Sequence, residues 1–145
     1  MQSTEIIKKL PYTEPFLFVD EILSISDNDV IGAYTFKKTA NFYRGHFKDH
    51  PITPGVLLTE CMAQIGLVCL AIYLIEKEED IAHNFALSHT DIDFLLLVYP
   101  GEKVRVVSEK IYFRFGKLKC KVRMYNSDEK LVAHGEISGM TIKKL

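Results

Sequence analysis

Residues 53–77 read TPGVLLTECMAQIGLVCLAIYLIEK, and we expect this stretch to form one long helix. Thr53 suits the N-cap, because its hydroxyl can accept a hydrogen bond from a backbone N–H of the first turn. Pro54 suits the first helical position, where its missing N–H costs no hydrogen bond. The helix is predicted to continue to about Lys77.

The apolar residues of this helix cover nearly every face from Val56 to Ile75. Such a pattern is typical of a helix enclosed by protein, whereas a surface helix keeps one polar face. A membrane span needs about 20 mostly apolar residues. Glu60 and Gln64 interrupt this run and leave only residues 65–75 uninterrupted. We therefore expect a buried central helix and no membrane span.

The segments on either side have the patterns of a short helix and an antiparallel sheet. The short helix is predicted from Ser3 to Leu10, and Pro11 ends it. Turn-forming residues separate the later strands, so the last three are expected to form a meander with one buried face. A sheet wrapped around the apolar helix is the economical α+β arrangement. The strands are predicted at residues 16–25, 30–37, 84–91, 103–114, 117–125 and 130–142.

The composition is that of an ordinary globular protein, with 48% hydrophobic and 26% charged residues, so we expect one domain spanning residues 1–145. The 18 Lys and Arg against 19 Asp and Glu give a net charge of −1, which argues against nucleic-acid binding. The three cysteines form no C-x-x-C pair, so neither a disulfide framework nor a thiolate zinc site is expected. Reduced thiols and the lack of a signal-peptide pattern predict a cytoplasmic protein.

A loop predicted at residues 39–53 precedes the helix and carries His46. His46 is a candidate general base, because an unperturbed histidine titrates near neutral pH. The alternative is a structural histidine held by hydrogen bonds. Gly55 lies at the helix start, where backbone N–H groups have no intrahelical partner, so a carbonyl that becomes an oxyanion has donors there.

Glu60 lies one to two turns into the helix, at a position that is expected to be buried. Burial raises the pKa of a carboxyl, which makes Glu60 a candidate acid or a holder for a hydroxyl or water. Gln64 follows one turn later, where it either orients the carboxyl or is satisfied at a subunit contact. A base, oxyanion donors and an acid suit proton abstraction beside a carbonyl with loss of a β-hydroxyl. That reaction is a dehydration.

The same residues resemble the active-site signature of FabZ-type β-hydroxyacyl-acyl carrier protein dehydratases. Fourteen positions separate His46 from Glu60, which is the spacing of that family. Further motifs extend the resemblance over nearly the whole chain. The matching residues are Leu10-Pro11, Pro15 to Asp20, Gly45-His46-Phe47, Pro51, Pro54-Gly55-Val56, Glu60, Ala63-Gln64 and Pro100-Gly101-Glu102.

The resemblance implies a hotdog fold, in which an antiparallel sheet wraps around one long helix. It also implies a homodimer with two shared active sites, which in this family often assembles further into a trimer of dimers. His46 would take the α-proton of a (3R)-3-hydroxyacyl thioester, and Glu60 of the partner subunit would handle the departing hydroxyl. No metal or organic cofactor is expected. Substrate-binding and supporting roles would fall to Gly55, Val56, Gln64, Phe47 and Pro54.

Several positions depart from the family pattern. Lys48 follows Gly-His-Phe, where the family has proline, and Thr53 stands where methionine is common. Residues 93–97 read DFLLL where the family carries a basic patch that meets the acyl carrier protein, and residues 12–14 replace a His-Arg-Tyr. An unusual carrier, a coenzyme A thioester or a specialised lipid or polyene pathway would each account for this. The basic strand face of residues 117–123 is either an alternative carrier site or a solvated surface.

Three rival functions are compatible with this fold. A hotdog acyl-thioesterase uses a carboxylate to activate water, but the spacing of His46 and Glu60 favours elimination. A dehydratase that also isomerises the product commonly carries Asp at the helix position, so Glu60 argues against isomerisation. A non-catalytic acyl-thioester-binding protein is the third. The acyl tunnel is expected to end at one of Leu67, Leu70, Phe85, Leu95 or Leu97.

Overall fold

The computed structural model describes residues 3–78 and 84–142. The predicted short helix is present as α1, Ser3–Lys9, and it buries Ile6 against the core. The strands lie close to their predicted positions, with the first one shorter than expected. They are β1 (Glu21–Ile25), β2 (Asp29–Thr35), β3 (Asn84–Phe94), β4 (Lys103–Arg114), β5 (Lys117–Tyr125) and β6 (Leu131–Ile142).

The strands form one six-stranded antiparallel sheet in the order β1-β2-β4-β5-β6-β3. The predicted meander β4-β5-β6 is therefore confirmed. Burial alternates along the strands, as a sheet with one covered face requires. Val104, Val106 and Ser108 of β4 are fully buried, and the intervening Arg105 and Val107 are only partly covered.

The central helix runs without a break through three segments, α2 (Gly55–Ala63), a π-helical turn (Gln64–Val68) and α3 (Cys69–Glu78). Every residue from Cys61 to Leu70 is buried. Within the described part of the chain, the stretch Gly55–Glu76 is long and apolar enough to cross a membrane by composition alone, yet 67% of its most apolar window is buried in the protein. That burial is typical of a core helix.

The helix approaches the sheet closely at Gly66, in the π-helical turn. A Cβ on Gly66 would lie 3.0 Å from the Cβ of Ser108 on β4, so only glycine fits without displacing the strand. The Ser108 hydroxyl donates to the Gly66 carbonyl across 2.8 Å. A sheet wrapped around one long helix is the hotdog architecture, and the predicted α+β fold class is confirmed.

Two predicted boundaries were wrong, and each has a physical cause. Thr53 is not the N-cap, because its side chain is engaged elsewhere, and Pro54 occupies that position instead. The first strand does not begin at Phe16. The backbone of residues 16–18 pairs with the side chain of Gln64 rather than with another strand.

Candidate active site

His46 is held in a defined orientation by the loop that carries it. Its backbone N–H donates to the carbonyl of Phe42 across 3.1 Å, at the end of a short 3-10 helix, Asn41–Arg44. Its ring Nδ1 lies 2.9 Å from the carbonyl oxygen of Ile52. A carbonyl can only accept, so Nδ1 is the protonated nitrogen of this bond. In the uncharged ring, Nε2 then carries the free lone pair that a general base requires.

Phe47 follows His46 in a left-handed conformation, with φ of 58°. Its ring centroid lies 4.9 Å from that of His46, and 61% of the residue is exposed. A bulky residue in this backbone region is strained and is found mainly where the surrounding structure imposes it. Phe47 therefore flanks the histidine on its outer side.

A buried hydrogen bond connects the loop that carries His46 to the start of the central helix. The hydroxyls of Tyr43 and Thr53 lie 2.6 Å apart, and both residues are buried. The Thr53 N–H donates to the carbonyl of Val98 across 2.8 Å, which ties this segment to the strand connection behind it. Thr53 thus fixes the loop instead of capping the helix.

The start of the central helix leaves two backbone N–H groups, those of Gly55 and Val56, available as donors. The N–H groups of Leu57 and Leu58 both donate to the Pro54 carbonyl, at 2.9 and 3.1 Å. Gly55 and Val56 precede them, so helix geometry leaves their N–H groups without an intrahelical acceptor. These two amides are the donors that a thioester carbonyl would need.

A bulky apolar side chain covers one side of these donors. The ring of Phe94 packs on Gly55, where an added Cβ would lie 3.5 Å from the Phe94 Cζ. Val56 is 77% exposed, which is unusual for an aliphatic residue on a core helix. The helix start therefore has one covered and one open side.

Glu60 lies on the same helix and is tied to Gln64. The Gln64 Nε2 donates to the Glu60 Oε2 across 2.9 Å. Burial raises the pKa of Glu60, and the hydrogen bond from Gln64 partly opposes that shift. The carboxyl consequently stays protonated to a higher pH than an exposed glutamic acid.

Gln64 is fully buried and satisfies three partners within its own chain. Besides Glu60, its Nε2 donates to the carbonyl of Phe16 across 3.0 Å, and its Oε1 accepts the N–H of Phe18 across 2.8 Å. The bond to Glu60 fits the orienting role considered for Gln64. The side-chain amide of Gln64 therefore links the Glu60 carboxyl to the backbone of residues 16–18.

His46 and Glu60 form no hydrogen bond with each other within the described residues 3–78 and 84–142; each is held by partners of its own.

Sequence reasoning missed the Ile52 carbonyl, because a backbone acceptor leaves no side-chain signal. It also missed Tyr12, whose pKa is raised to about 12 by burial and then by the nearby Glu60 carboxyl. An aromatic residue beside Pro11 was the available signal for Tyr12.

The segment that departs from the dehydratase pattern is exposed and apolar. Phe94, Leu95, Leu96 and Leu97 are each more than two-fifths exposed and line a cavity of about 460 Å³. Of the predicted tunnel ends, Leu67 and Leu70 are fully buried, Phe85 is buried, and Leu95 and Leu97 line this surface cavity.

Two of the four basic side chains on this strand face lie close to acidic residues. Lys119 lies 3.2 Å from Glu136, and Arg123 lies 2.9 Å from Glu109, with the side chains partly exposed. These contacts fit the solvated-surface interpretation of residues 117–123. Among the described residues, no group of three or more His, Cys, Asp or Glu side chains is placed to hold a metal ion.

Comparison with solved structures identifies other proteins with a similar fold. The dehydratase heterocomplex ApeI:P from Xenorhabdus doucetiae superposes with a TM-score of 0.80 at 15% identity, covering 99% of this chain and 93% of that one. A hypothetical thioesterase with coenzyme A from Streptococcus pneumoniae reaches 0.65 at 14% identity, with 86% of each chain covered. At such identities the likeness concerns the fold alone.

Sequence comparison is more specific. The FabA-like domain family matches residues 10–138. The FabZ 3-hydroxyacyl-[acyl-carrier-protein] dehydratase of Clostridium perfringens is 35% identical over 94% of this chain and 96% of its own length. The enzyme of the same name from Rhizobium rhizogenes is 36% identical over 97% of this chain and 87% of its own length. The chain therefore belongs to the FabA-like domain family, among relatives that are FabZ-type dehydratases.

Proposed function

We propose that this protein dehydrates (3R)-3-hydroxyacyl thioesters to trans-2-enoyl thioesters, in fatty acid or related lipid synthesis. The observation that carries the proposal is the bond from His46 Nδ1 to the Ile52 carbonyl, because it directs the basic Nε2 away from the loop. The relatives named 3-hydroxyacyl-[acyl-carrier-protein] dehydratase support the reaction class. The proposed unit is one hotdog domain that spans the chain.

The proposed reaction begins with the thioester carbonyl at the helix start. Hydrogen bonds from the Gly55 and Val56 amides stabilise the charge that develops on the carbonyl oxygen. The Nε2 of His46 removes the α-proton, and the electron pair left on the α-carbon forms the new double bond as the β C–O bond breaks. Glu60 delivers a proton to the leaving hydroxyl, which departs as water. The raised pKa of Glu60 supports this acid role.

The two catalytic groups are proposed to come from opposite subunits of a homodimer. The outer edge of β3 ends the sheet and offers its backbone groups to a second strand. Exposed Phe47 and Val56 beside the site supply apolar surface for a partner. A trimer of such dimers is the proposed larger assembly.

The acyl group is proposed to arrive on an acyl carrier protein, with coenzyme A as the alternative carrier. The exposed leucines 95–97 replace the charged contacts expected for an acidic carrier, so apolar contacts would contribute more to docking here. The proposal includes no metal or organic cofactor. It places the protein in the cytoplasm, which the free and buried Cys61, Cys69 and Cys120 support.

The proposal is tested by incubating the protein with 3-hydroxyacyl and 2-enoyl thioesters, each on a carrier protein and on coenzyme A. Mass spectrometry follows the loss or gain of one water and the release of free acid. Water loss from the 3-hydroxyacyl thioester is the expected result. Release of free acid without water loss would instead identify a thioesterase, and no reaction at any chain length would indicate a binding protein.

A further inference from the structure

A second cavity of about 460 Å³ opens beside the candidate site, and its deep wall is aromatic. Phe18 and Tyr34 are almost fully buried in this wall, Phe42 and Leu57 are partly covered, and Phe16 reaches the opening. The volume lies within the range of about 300–1,000 Å³ that is usual for small-molecule sites. Exposed polar residues surround the opening, namely Glu14, Lys37, Thr39 and Asn41.

The aromatic wall is preformed by contacts among its own rings. The ring centroids of Phe16 and Phe18 lie 5.1 Å apart with an angle of 71° between the planes. Those of Phe18 and Tyr34 lie 5.5 Å apart at 89°. Both are edge-to-face contacts, which are favourable and fix the rings relative to one another. A ligand therefore meets a rigid surface and pays little for ordering it.

The cavity shares its wall with the loop that carries His46 and with the helix start of the same chain. The backbone carbonyl of Phe42 accepts the N–H of His46, and Leu57 lies two residues after Gly55 on the central helix. A chain attached to a thioester at the helix start can therefore enter this cavity from the reacting end.

We propose that this cavity receives the acyl chain and selects chains that carry a planar π system, either an aromatic ring or conjugated double bonds. The inference rests on the proposed dehydratase function and names its substrate class. An apolar chain of any kind gains from burial in the cavity. A flat π system gains in addition from edge-to-face and stacked contacts with Phe16, Phe18 and Phe42, which correspond to about a twofold to tenfold preference.

The test measures binding with unreactive ligands, so it does not depend on turnover. The ligands are the pantetheine amides of 5-phenylpentanoic acid and 5-cyclohexylpentanoic acid, which have the same carbon skeleton and differ in the ring, planar and aromatic in the first and saturated in the second. Isothermal titration calorimetry on the intact protein should show the phenyl ligand binding about twofold to tenfold more tightly. Phe16→Leu and Phe42→Leu should each bring the ratio of the two affinities close to one.

Phe115→Leu is the matched control, because this ring is 99% exposed at the β4–β5 turn and lies outside the cavity. The control should keep the wild-type ratio. Two substitutions on different segments guard against a folding defect in one of them, and circular dichroism verifies each fold. Equal or tighter binding of the cyclohexyl ligand, no binding of either ligand, or an unchanged ratio in both cavity variants would overturn the inference.

The outcomes also separate this inference from the dehydratase proposal. If the protein removes water from 3-hydroxyacyl thioesters but binds both ligands equally, only the selectivity inference fails. If the phenyl ligand is preferred but no thioester loses water, the cavity is an acyl-binding site and the dehydratase proposal fails.

Discussion

The amide Nε2 of Gln64 donates to the Oε2 of Glu60 across 2.9 Å, on one face of the central helix. Gln64→Leu removes this bond and leaves the N–H of Phe18 without its acceptor inside the protein. We predict a loss of about 2–4 kcal/mol in the free energy of unfolding, because buried polar groups without partners are costly. Urea unfolding measures this loss.

The same substitution should raise the pKa of Glu60 further, since the Gln64 bond lowers it. Ser108→Ala is the control, because it removes another buried hydrogen bond to the central helix that does not involve Glu60. We expect Ser108→Ala to cost about 1 kcal/mol and to leave the pH dependence of activity unchanged. A pH profile that shifts equally in both variants would contradict the orienting role of Gln64.

Glu60 should make the stability of the fold depend on pH. Burial raises its folded-state pKa, so folding favours the protonated carboxyl. Its contribution to stability is fully present below the ordinary pKa of glutamic acid and is lost as the pH rises through the raised folded-state pKa. Glu60→Gln lacks this carboxyl, so the wild type should lose stability relative to the variant as the pH rises across that window. Urea unfolding at several pH values measures the difference, and a difference that does not change with pH would contradict it.

The activity of the wild type should fall as the pH rises above the raised pKa of Glu60, because the acid is then deprotonated. Glu60→Gln should lower kcat by about 10²–10⁴-fold. Initial rates of water loss between acidic and mildly alkaline pH test both statements. A wild-type rate that keeps rising with pH would show that a group other than Glu60 protonates the leaving hydroxyl.

The repeating elements of this fold were predictable from the sequence, because local periodicity reflects burial. The apolar run of the central helix and the alternation along β4 predicted elements whose bounds agree closely with the structure. For residues 16–18, the periodicity predicted a strand that the structure does not contain. Their alternation is strand-like, but their backbone groups form hydrogen bonds with the side chain of Gln64, which is distant in the sequence. Local periodicity does not report such a tertiary contact.

The candidate site was predictable in its side chains but not in its backbone. His46, Glu60 and Gln64 carry polar chemistry in an apolar context, which marks them in the sequence. The Ile52 carbonyl that orients His46 exists in every residue type, so nothing identified it. Thr53 was assigned to the helix cap on its local pattern, whereas the tertiary contact with Tyr43 decided its role.

The bond between Tyr43 and Thr53 should couple the histidine loop to the helix start. Tyr43→Phe and Thr53→Val each remove the 2.6 Å contact and should cost about 1 kcal/mol in the free energy of unfolding. The double variant should lose clearly less than the sum, because the two hydroxyls share one interaction. A double-mutant cycle by urea unfolding measures the coupling, and strictly additive losses would show that the contact contributes nothing.

Catalysis by two subunits predicts that inactive chains complement one another. His46→Ala and Glu60→Gln chains with different tags are co-expressed and purified through both tags. Their mixed assemblies should regain about a quarter to a half of the wild-type activity per site, since each mixed dimer contains one site with both groups intact. Each variant alone should stay inactive. No recovery in verified mixed assemblies would place both groups of a site on one chain.

The most direct measurement of the central claim compares His46→Ala with His50→Ala on a 3-hydroxyacyl carrier thioester. His50 lies in the same loop and its side chain is exposed, so it serves as the matched control. Mass spectrometry follows the loss of one water per substrate. The account predicts that His46→Ala is at least about 100-fold slower than the wild type, while His50→Ala keeps the wild-type rate. A wild-type rate in His46→Ala would contradict the account.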